Sequence, residues 1–440
     1  MGTYKDSGIE WIGEIPNEWD VSKIKYTSTL HGRIGWQGLT SEEYIEEGPY
    51  LITGTDFLKG EIDWDSCVHI SEERWAQADK IQIKEGDLLI TKDGTVGKTA
   101  IVTNLNNKAS LNSGVLLINL KTHSKKYLYW LLNSKVFWEW FDITNSGNST
   151  ILHLYQKDFD NFSFPIPPLQ EQAAIADFLD KKSEEIDAIS AKITHQIQTL
   201  KDYRQSLITE TVTKGLDKTV SYKDSGIEWI GKIPEGWDVS KIKYEIHSIG
   251  SGTTPDSDVQ DYYDGDNYWI QSGDLYNTKI VRKTEKNITD FAVNSFSALK
   301  LYKAPFIVIA MYGASIGNLA ISTIDAYTNQ ACCVLQDENF NTTYLFYYLS
   351  ASKQPLINEA LGGTQPNISQ VVIKNFILLL PPLVEQATIA DYLDDKTAKI
   401  DCIIAKKEQQ LEIIKEHRKS LIYEYVTGKK RVKEYQEDGN

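Results

Sequence analysis

The segment YKDSGIEWIGEIPNEWDVSKIKY at residues 4–26 returns at residues 222–244 as YKDSGIEWIGKIPEGWDVSKIKY, identical at 20 of 23 positions with an offset of 218. A second pair opens with PPLQEQAAIADFLD at Pro167 and PPLVEQATIADYLD at Pro381, and 26 of the 47 positions in 167–213 recur at an offset of 214. The chain is a duplication. Its repeat is far longer than a solenoid unit and occurs only twice, so each copy is expected to fold around its own core. A chain of 440 residues is long enough to bury two.

Between the matched frames the copies diverge while keeping their outline. YLITGTDF at 50–57 lies opposite YWIQSGDL at 268–275, and EGDLLITKDGTVGKTAIV at 85–102 lies opposite KAPFIVIAMYGASIGNLAIS at 303–322. These read as short apolar strands joined by Gly-containing turns. Neutral drift after one duplication would spread differences evenly. Near-identical frames around dissimilar inserts imply instead one scaffold that presents two different surfaces.

After each proline pair the periodicity becomes helical. Leu179, Ile186, Ile193, Leu200 and Leu207 recur every seven residues, with Ile175, Ile189 and Tyr203 assigned to a second seam position. The other copy runs Leu393, Ile400, Lys407, Ile414 and Leu421, with Ile389 and Ile403. A helix of roughly 45 residues is on the order of 65 Å long, too long for one small domain to cover, so the equivalent helix is the expected partner. Lys182, Lys396 and Lys407 are placed on the seam, where charge favours one fixed register or contact with something else. The expected architecture is an α+β protein: two variable domains at 1–166 and 218–380, long helices at 167–217 and 381–430, and a tail at 431–440. If the helices are antiparallel, an internal two-fold axis relates the domains, and such a molecule could read two short sites a fixed distance apart.

Composition sets limits on function. Apolar content of 41% and the absence of an apolar run of about 18 residues exclude a membrane-spanning helical protein. The opening MGTYKDSGIEWIGEIP has neither the basic start nor the apolar stretch of a secretory signal, so the expected location is the cytoplasm. Cys67, Cys332, Cys333 and Cys402 form no CxxC pair and read as buried free thiols. The net charge of −15 argues against nucleic-acid binding, yet its distribution is uneven. Residues 81–126 hold seven basic side chains against three acidic, and residues 279–303 hold six against two. A solvated mixed-charge surface would account for the same residues.

Tests for chemistry fail. GTVGKT at 94–99 resembles the end of a phosphate-binding loop, but Lys92 stands where the first glycine is required and AIVTNL reads as a strand, not a helix. GSGTTPD at 250–256 lacks the strand-to-helix context of a nucleotide fingerprint. No Asn-Pro-Pro-aromatic tetrapeptide, HExxH pair or nucleophile elbow is present, and the seven histidines are scattered. No cofactor or metal site is expected in this chain. The 11 tryptophans and 24 tyrosines read mainly as core, with Trp11, Trp19, Trp229 and Trp237 belonging to the repeated frame.

The WIGEIPNEWDVSKIKY opening, the PPLxEQxxIAxxLD start of each helix and GTQPNIS at 363–369 together resemble specificity subunits of type I restriction-modification enzymes over nearly the whole chain. That resemblance implies two target recognition domains, each reading half of a split double-stranded DNA sequence, with helices setting the gap. It further implies docking of two methyltransferase subunits and, through them, restriction subunits, which would supply the S-adenosylmethionine, ATP and Mg chemistry. On the divergent turns, Lys92, Asp93, Thr95, Lys98, Asn112 and Ser113 in the first copy are candidates for DNA contact. Tyr312, Ser315, Asn318, Asn329 and Gln330 are the candidates in the second. The first copy has STILHLYQ where the second has GTQPNISQ, so the role implied for that loop transfers only to Thr364, Gln365 and Asn367, with Thr150 aligned to Thr364. A coiled-coil scaffold whose paired domains bind proteins or glycans is the alternative that the acidic net charge favours.

Overall fold

A computed structural model of the chain describes residues 3–33, 38–145, 152–359 and 367–433. The chain divides into two compact units, Met1–Thr194 with Gln409–Asn440, and His195–Glu408. Two continuous helices, Leu169–Lys214 and Leu383–Val426, each contribute residues to both units. No helix among the described residues is long and apolar enough to cross a membrane.

In the first unit, Thr99–Ile101, Leu88–Thr91, Val115–Leu120 and Ser28–Gly32 form an antiparallel sheet in that order. A second sheet orders Ala109–Leu111, Ile45–Ile52 and Val68–His69, its first pair parallel. Leu88–Thr91 is buried at every position because both faces of its sheet are covered. Leu88, Ile90, Leu116 and Ile118 face a core shared with Tyr127, Phe137 and Phe162, while Leu89, Val115 and Leu117 face a second core with Ile52 and Leu111.

The second unit repeats this plan with a longer sheet, ordered Ser248–Gly250, Cys332–Gln336, Phe306–Ala310, Leu319–Ser322, Ile280–Val281. Ile307, Ile309, Cys333 and Leu335 face one core, and Phe306, Val308, Cys332 and Val334 the other. The adjacent Cys332 and Cys333 therefore point to opposite faces. Burial pushes the Cys333 thiol up to about 12 and raises that of Cys332 further. Cys67 is also buried and free, whereas Cys402 is exposed.

The repeated frame seats the long helices. Asp20–Lys23 pairs with Ser163–Ile166, the strand that Pro167 ends, and Asp238–Lys241 pairs likewise with Ile377–Leu380 before Pro381. The fully buried Trp19 donates its indole N–H to Glu171 Oε2 at 2.9 Å, and Trp237 donates to Glu385 Oε2 at 2.9 Å. Next to each glutamate, Gln172 donates to the Pro167 carbonyl and Gln386 to that of Pro381. The PPLxEQ motif is thus a socket that ties the helix start to the frame. In the first unit, Ile175 and Leu179 share a core with Leu421 and Val426 from the end of the other long helix. In the second, Ile389 and Leu393 share one with Ile208 and Val212.

Within each unit the helical segments run antiparallel. Arg418 pairs with Asp187 at 3.0 Å in the first; Arg204 pairs with Asp401 at 2.9 Å, and Lys407 donates to Gln196 at 2.7 Å, in the second. These contacts correct the expected seam. The line through Leu179, Ile186, Ile193, Leu200 and Leu207 does face inward, but its companion is Ser183, Ser190, Ile197 and Arg204, four residues on instead of three. Ile189 is 51% and Tyr203 56% exposed. In the other helix the companion line is Thr397, Ile404, Leu411, Arg418 and Tyr425, and Ile403 is exposed. Lys182 and Lys396 consequently lie off the seam, the former paired with Glu185, while Lys407 does sit on it. Apolar counting within one helix chose Ile189 over Ser190. Burial in the folded chain decides otherwise: Ser183 is buried and Ser190 partly buried while Ile189 faces outward.

Candidate nucleic-acid interface

Each unit gathers four segments around one strand-to-strand turn. In the first, Leu88–Thr91 continues into Lys92, whose N–H donates to the Gly114 carbonyl at 2.8 Å and whose own carbonyl accepts from Leu154 N–H at 2.9 Å. Lys92 is held between the 112–114 and 152–155 segments. The turn closes through Thr91 N–H to Lys98 O and Gly97 N–H to Thr91 O, each at 2.9 Å. Gly97 has φ +81°, and a Cβ there would lie 2.5 Å from the Trp138 ring, so the turn requires glycine at this point. Thr95 Oγ1 donates to the Gly54 carbonyl at 3.0 Å, drawing in the 53–56 segment as the fourth member.

The second unit reproduces this backbone pattern with other side chains. Met311 N–H donates to Ala331 O at 2.8 Å, and Ile368 N–H donates to Met311 O at 2.7 Å. Gly317 N–H closes the turn on Ala310 O at 2.9 Å. Between the closing positions there is one more residue than in the first unit, since Lys92 to Gly97 corresponds to Met311 to Gly317. Asn112 and Asn329 are equivalent, donating backbone N–H to Ile52 O and Ile270 O.

The structure therefore brings together Lys92, Asp93, Thr95, Asn112 and Ser113 in one unit, and Tyr312, Ser315, Asn329, Gln330 and Asn367 in the other. Their surroundings differ. Ser113, Tyr312, Gln330 and Asn367 are exposed, whereas Asn329 is buried, its Oδ1 accepting from Ala331 N–H at 3.0 Å. Asn318 Oδ1 accepts from Lys353 Nζ at 2.8 Å, on the flank of its turn. Lys98 is exposed where the turn returns to the sheet, and the following Thr99–Ile101 is a strand where a phosphate-binding loop would open a helix. Thr150, Thr364 and Gln365 lie outside the described residues.

One residue of this face escaped the sequence reading. His153 Nδ1 lies 2.6 Å from Asp93 Oδ1, linking the 152–155 segment to the turn through side chains as well as backbone. The available signal was its alignment with Asn367 inside the STILHLYQ and GTQPNISQ pair.

The basic stretches are less positive in space than along the chain. Lys108 pairs with Glu72, Lys125 with Asp87 and Lys126 with Asp180, all between 2.7 and 2.9 Å. Lys279 pairs with Asp394 and Lys303 with Asp325. Acidic residues distant in sequence neutralise about half of the local excess. Among the described residues, Lys92 and Lys98 have no carboxylate partner. Groups of three or more potential metal ligands are absent among the described residues. The four-segment faces offer hydroxyls, amides, a carboxylate and lysine amines, groups that donate and accept directional hydrogen bonds.

Comparisons with known proteins agree on one family. The model of the type I restriction modification DNA specificity domain matches twice, at residues 16–199 and 234–413. The MjaVIII specificity subunit of a type I restriction enzyme from Methanocaldococcus jannaschii is 27% identical, with 98% of each chain covered. The EcoBI specificity subunit of Escherichia coli is 23% identical over 87% of this chain and 80% of its own. Among solved structures, a chain from a study of complex assembly and conformational transition of the type I R-M system aligns with TM-score 0.74 at 15% identity, covering 94% of this chain and 99% of that one. The HsdS subunit of Thermoanaerobacter tengcongensis aligns with TM-score 0.55 at 16% identity, covering 94% and 98%. These structural likenesses establish a shared fold.

Proposed function

Because the chain belongs to the type I restriction-modification DNA specificity family, we propose that each of its two units reads one half of a bipartite double-stranded DNA target through its four-segment face. The observation that carries this reading is the repeated hydrogen-bond skeleton around Lys92 and Met311, which holds two turns in equivalent positions while their exposed side chains differ. One scaffold with two surfaces suits two unlike half-sites. The long helices set the gap between them and carry docking surfaces for methyltransferase subunits, through which restriction subunits join. Chemistry belongs to those partners, which bind S-adenosylmethionine, ATP and Mg, and the complex works in the cytoplasm.

Mapping methylated adenines in host DNA tests the proposal. A split recognition sequence lost on deletion of this chain is expected, and an unchanged methylation pattern would overturn it. The purified chain alone should show no methyl transfer, cleavage or ATP hydrolysis at stoichiometric levels. The net charge of −15 and the neutralised lysines favour a second reading, a scaffold for protein or glycan ligands. Gel-shift affinity across salt concentrations separates the two, since a DNA reader weakens as salt rises and a protein scaffold ignores DNA.

A further inference from the structure

A carboxylate stands in the middle of the first unit's face. Asp93 follows Lys92 in the turn, its side chain is 42% exposed, and it is paired with His153. A carboxylate has only acceptors, so the 2.6 Å contact requires the His153 Nδ1 to carry the hydrogen. That leaves the second Asp93 oxygen, Oδ2, without a hydrogen-bond partner among the described residues. Nothing in the shared scaffold demands the pair: the equivalent turn of the second unit begins Tyr312-Gly313, and Asn367 stands where His153 does. An exposed pair of this kind also contributes little to folding.

On a surface that meets a polyanion an acidic side chain is unfavourable unless it receives a hydrogen bond there. In the major groove the only base-edge donors are the amino groups, cytosine N4 and adenine N6; guanine and thymine offer acceptors at the corresponding edge and repel a carboxylate. We infer that Asp93 reads an amino-bearing base, cytosine or adenine, on one strand of the half-site bound by the first unit, and that His153 is the positioning residue that holds the carboxylate for it. This rests on the DNA-reading function proposed above. It adds a base class, a half-site and a residue pair to it.

The test is selection from duplexes randomised over both half-sites, with the full-length chain and Asp93→Ala, His153→Ala and His153→Gln variants. Wild type should prefer C or A over G or T on one strand at one position, by about tenfold or more. Asp93→Ala and His153→Ala should reduce that preference to under about threefold while every position of the other half-site keeps its preference. His153→Gln, whose amide still donates to the carboxylate, should restore part of it. A merely structural role for His153 would instead weaken all positions of its half-site together. If wild type selects a split sequence and both alanine variants keep it unchanged at every position, the Asp93 inference is overturned and the DNA-reading function stands. If wild type selects no sequence, that function itself falls.

Discussion

Arg431→Ala tests how the second long helix is anchored in the first unit. Arg431 Nε and Nη2 donate to the two oxygens of Glu171 at 2.9 and 2.8 Å, and Arg431 also pairs with Glu18. The Glu171 carboxylate is fully buried, and its other donor is the Trp19 indole. Removing one partner of a buried pair leaves a desolvated charge and costs about 3–5 kcal/mol. The Arg431 side chain is 18% exposed and Trp19 keeps its bond, so about 2–4 kcal/mol is expected here. Adding Glu171→Gln, which removes the charge but retains an acceptor for Trp19, should recover at least about half of that loss. Glu385 provides an internal control. It holds Trp237 in the same way without a basic partner among the described residues, so Glu385→Gln should cost less than about 1 kcal/mol. Burial raises the Glu171 carboxyl above its ordinary range despite the bonds from Trp19 and Arg431. A carboxyl raised in this way binds its proton more tightly when folded, so its contribution is most favourable in acid and is lost as pH rises through the folded value. Without Arg431 the rise is larger. The deficit should therefore be smaller near about pH 5 than at about pH 8 in urea titrations of the two proteins. A deficit under about 1 kcal/mol at both pH values, or no recovery with Glu171→Gln, would refute the argument.

Leu179→Ala, at a fully buried seam position, should cost about 2–5 kcal/mol in urea unfolding, whereas Ile189→Ala, half exposed, should stay within about 0.5 kcal/mol. The reverse order would restore the seam that apolar periodicity suggested. The Arg418–Asp187 and Arg204–Asp401 pairs are partly exposed, so double-mutant cycles should give couplings of about 0.5–1 kcal/mol each. Couplings indistinguishable from zero in both would show that the pairs do not hold the register. Deleting one helical turn from each long helix should change the preferred gap between half-sites or abolish assembly, read out by methylation mapping; normal activity with an unchanged gap would remove the helices as rulers.

The duplication, the frame and the helices were legible because repetition and heptad spacing are properties of the chain alone. The 20 of 23 matched residues around Trp19 announced one scaffold used twice, and their reason became visible once Glu171 and Glu385 were seen to hold the two indoles. Divergence between the copies also points to turn residues, among them Lys92, Asp93 and Thr95 in one and Tyr312 and Ser315 in the other, and the fold holds these in turns of equivalent position. What one dimension hides is the partner. Ile189 and Ser190 are equally good seam residues until the fold leaves Ile189 51% exposed and Ser190 partly buried, and Lys125 is a free cation until Asp87 lies 2.9 Å away. His153 meets Asp93 in the same way, arriving from 60 residues further along the chain. Two copies of one scaffold, and the segments that vary between them, follow from the order of residues alone. Which face of each helix is buried, which charges are neutralised and which side chains share a surface depend on distances in the folded chain that the order of residues does not set.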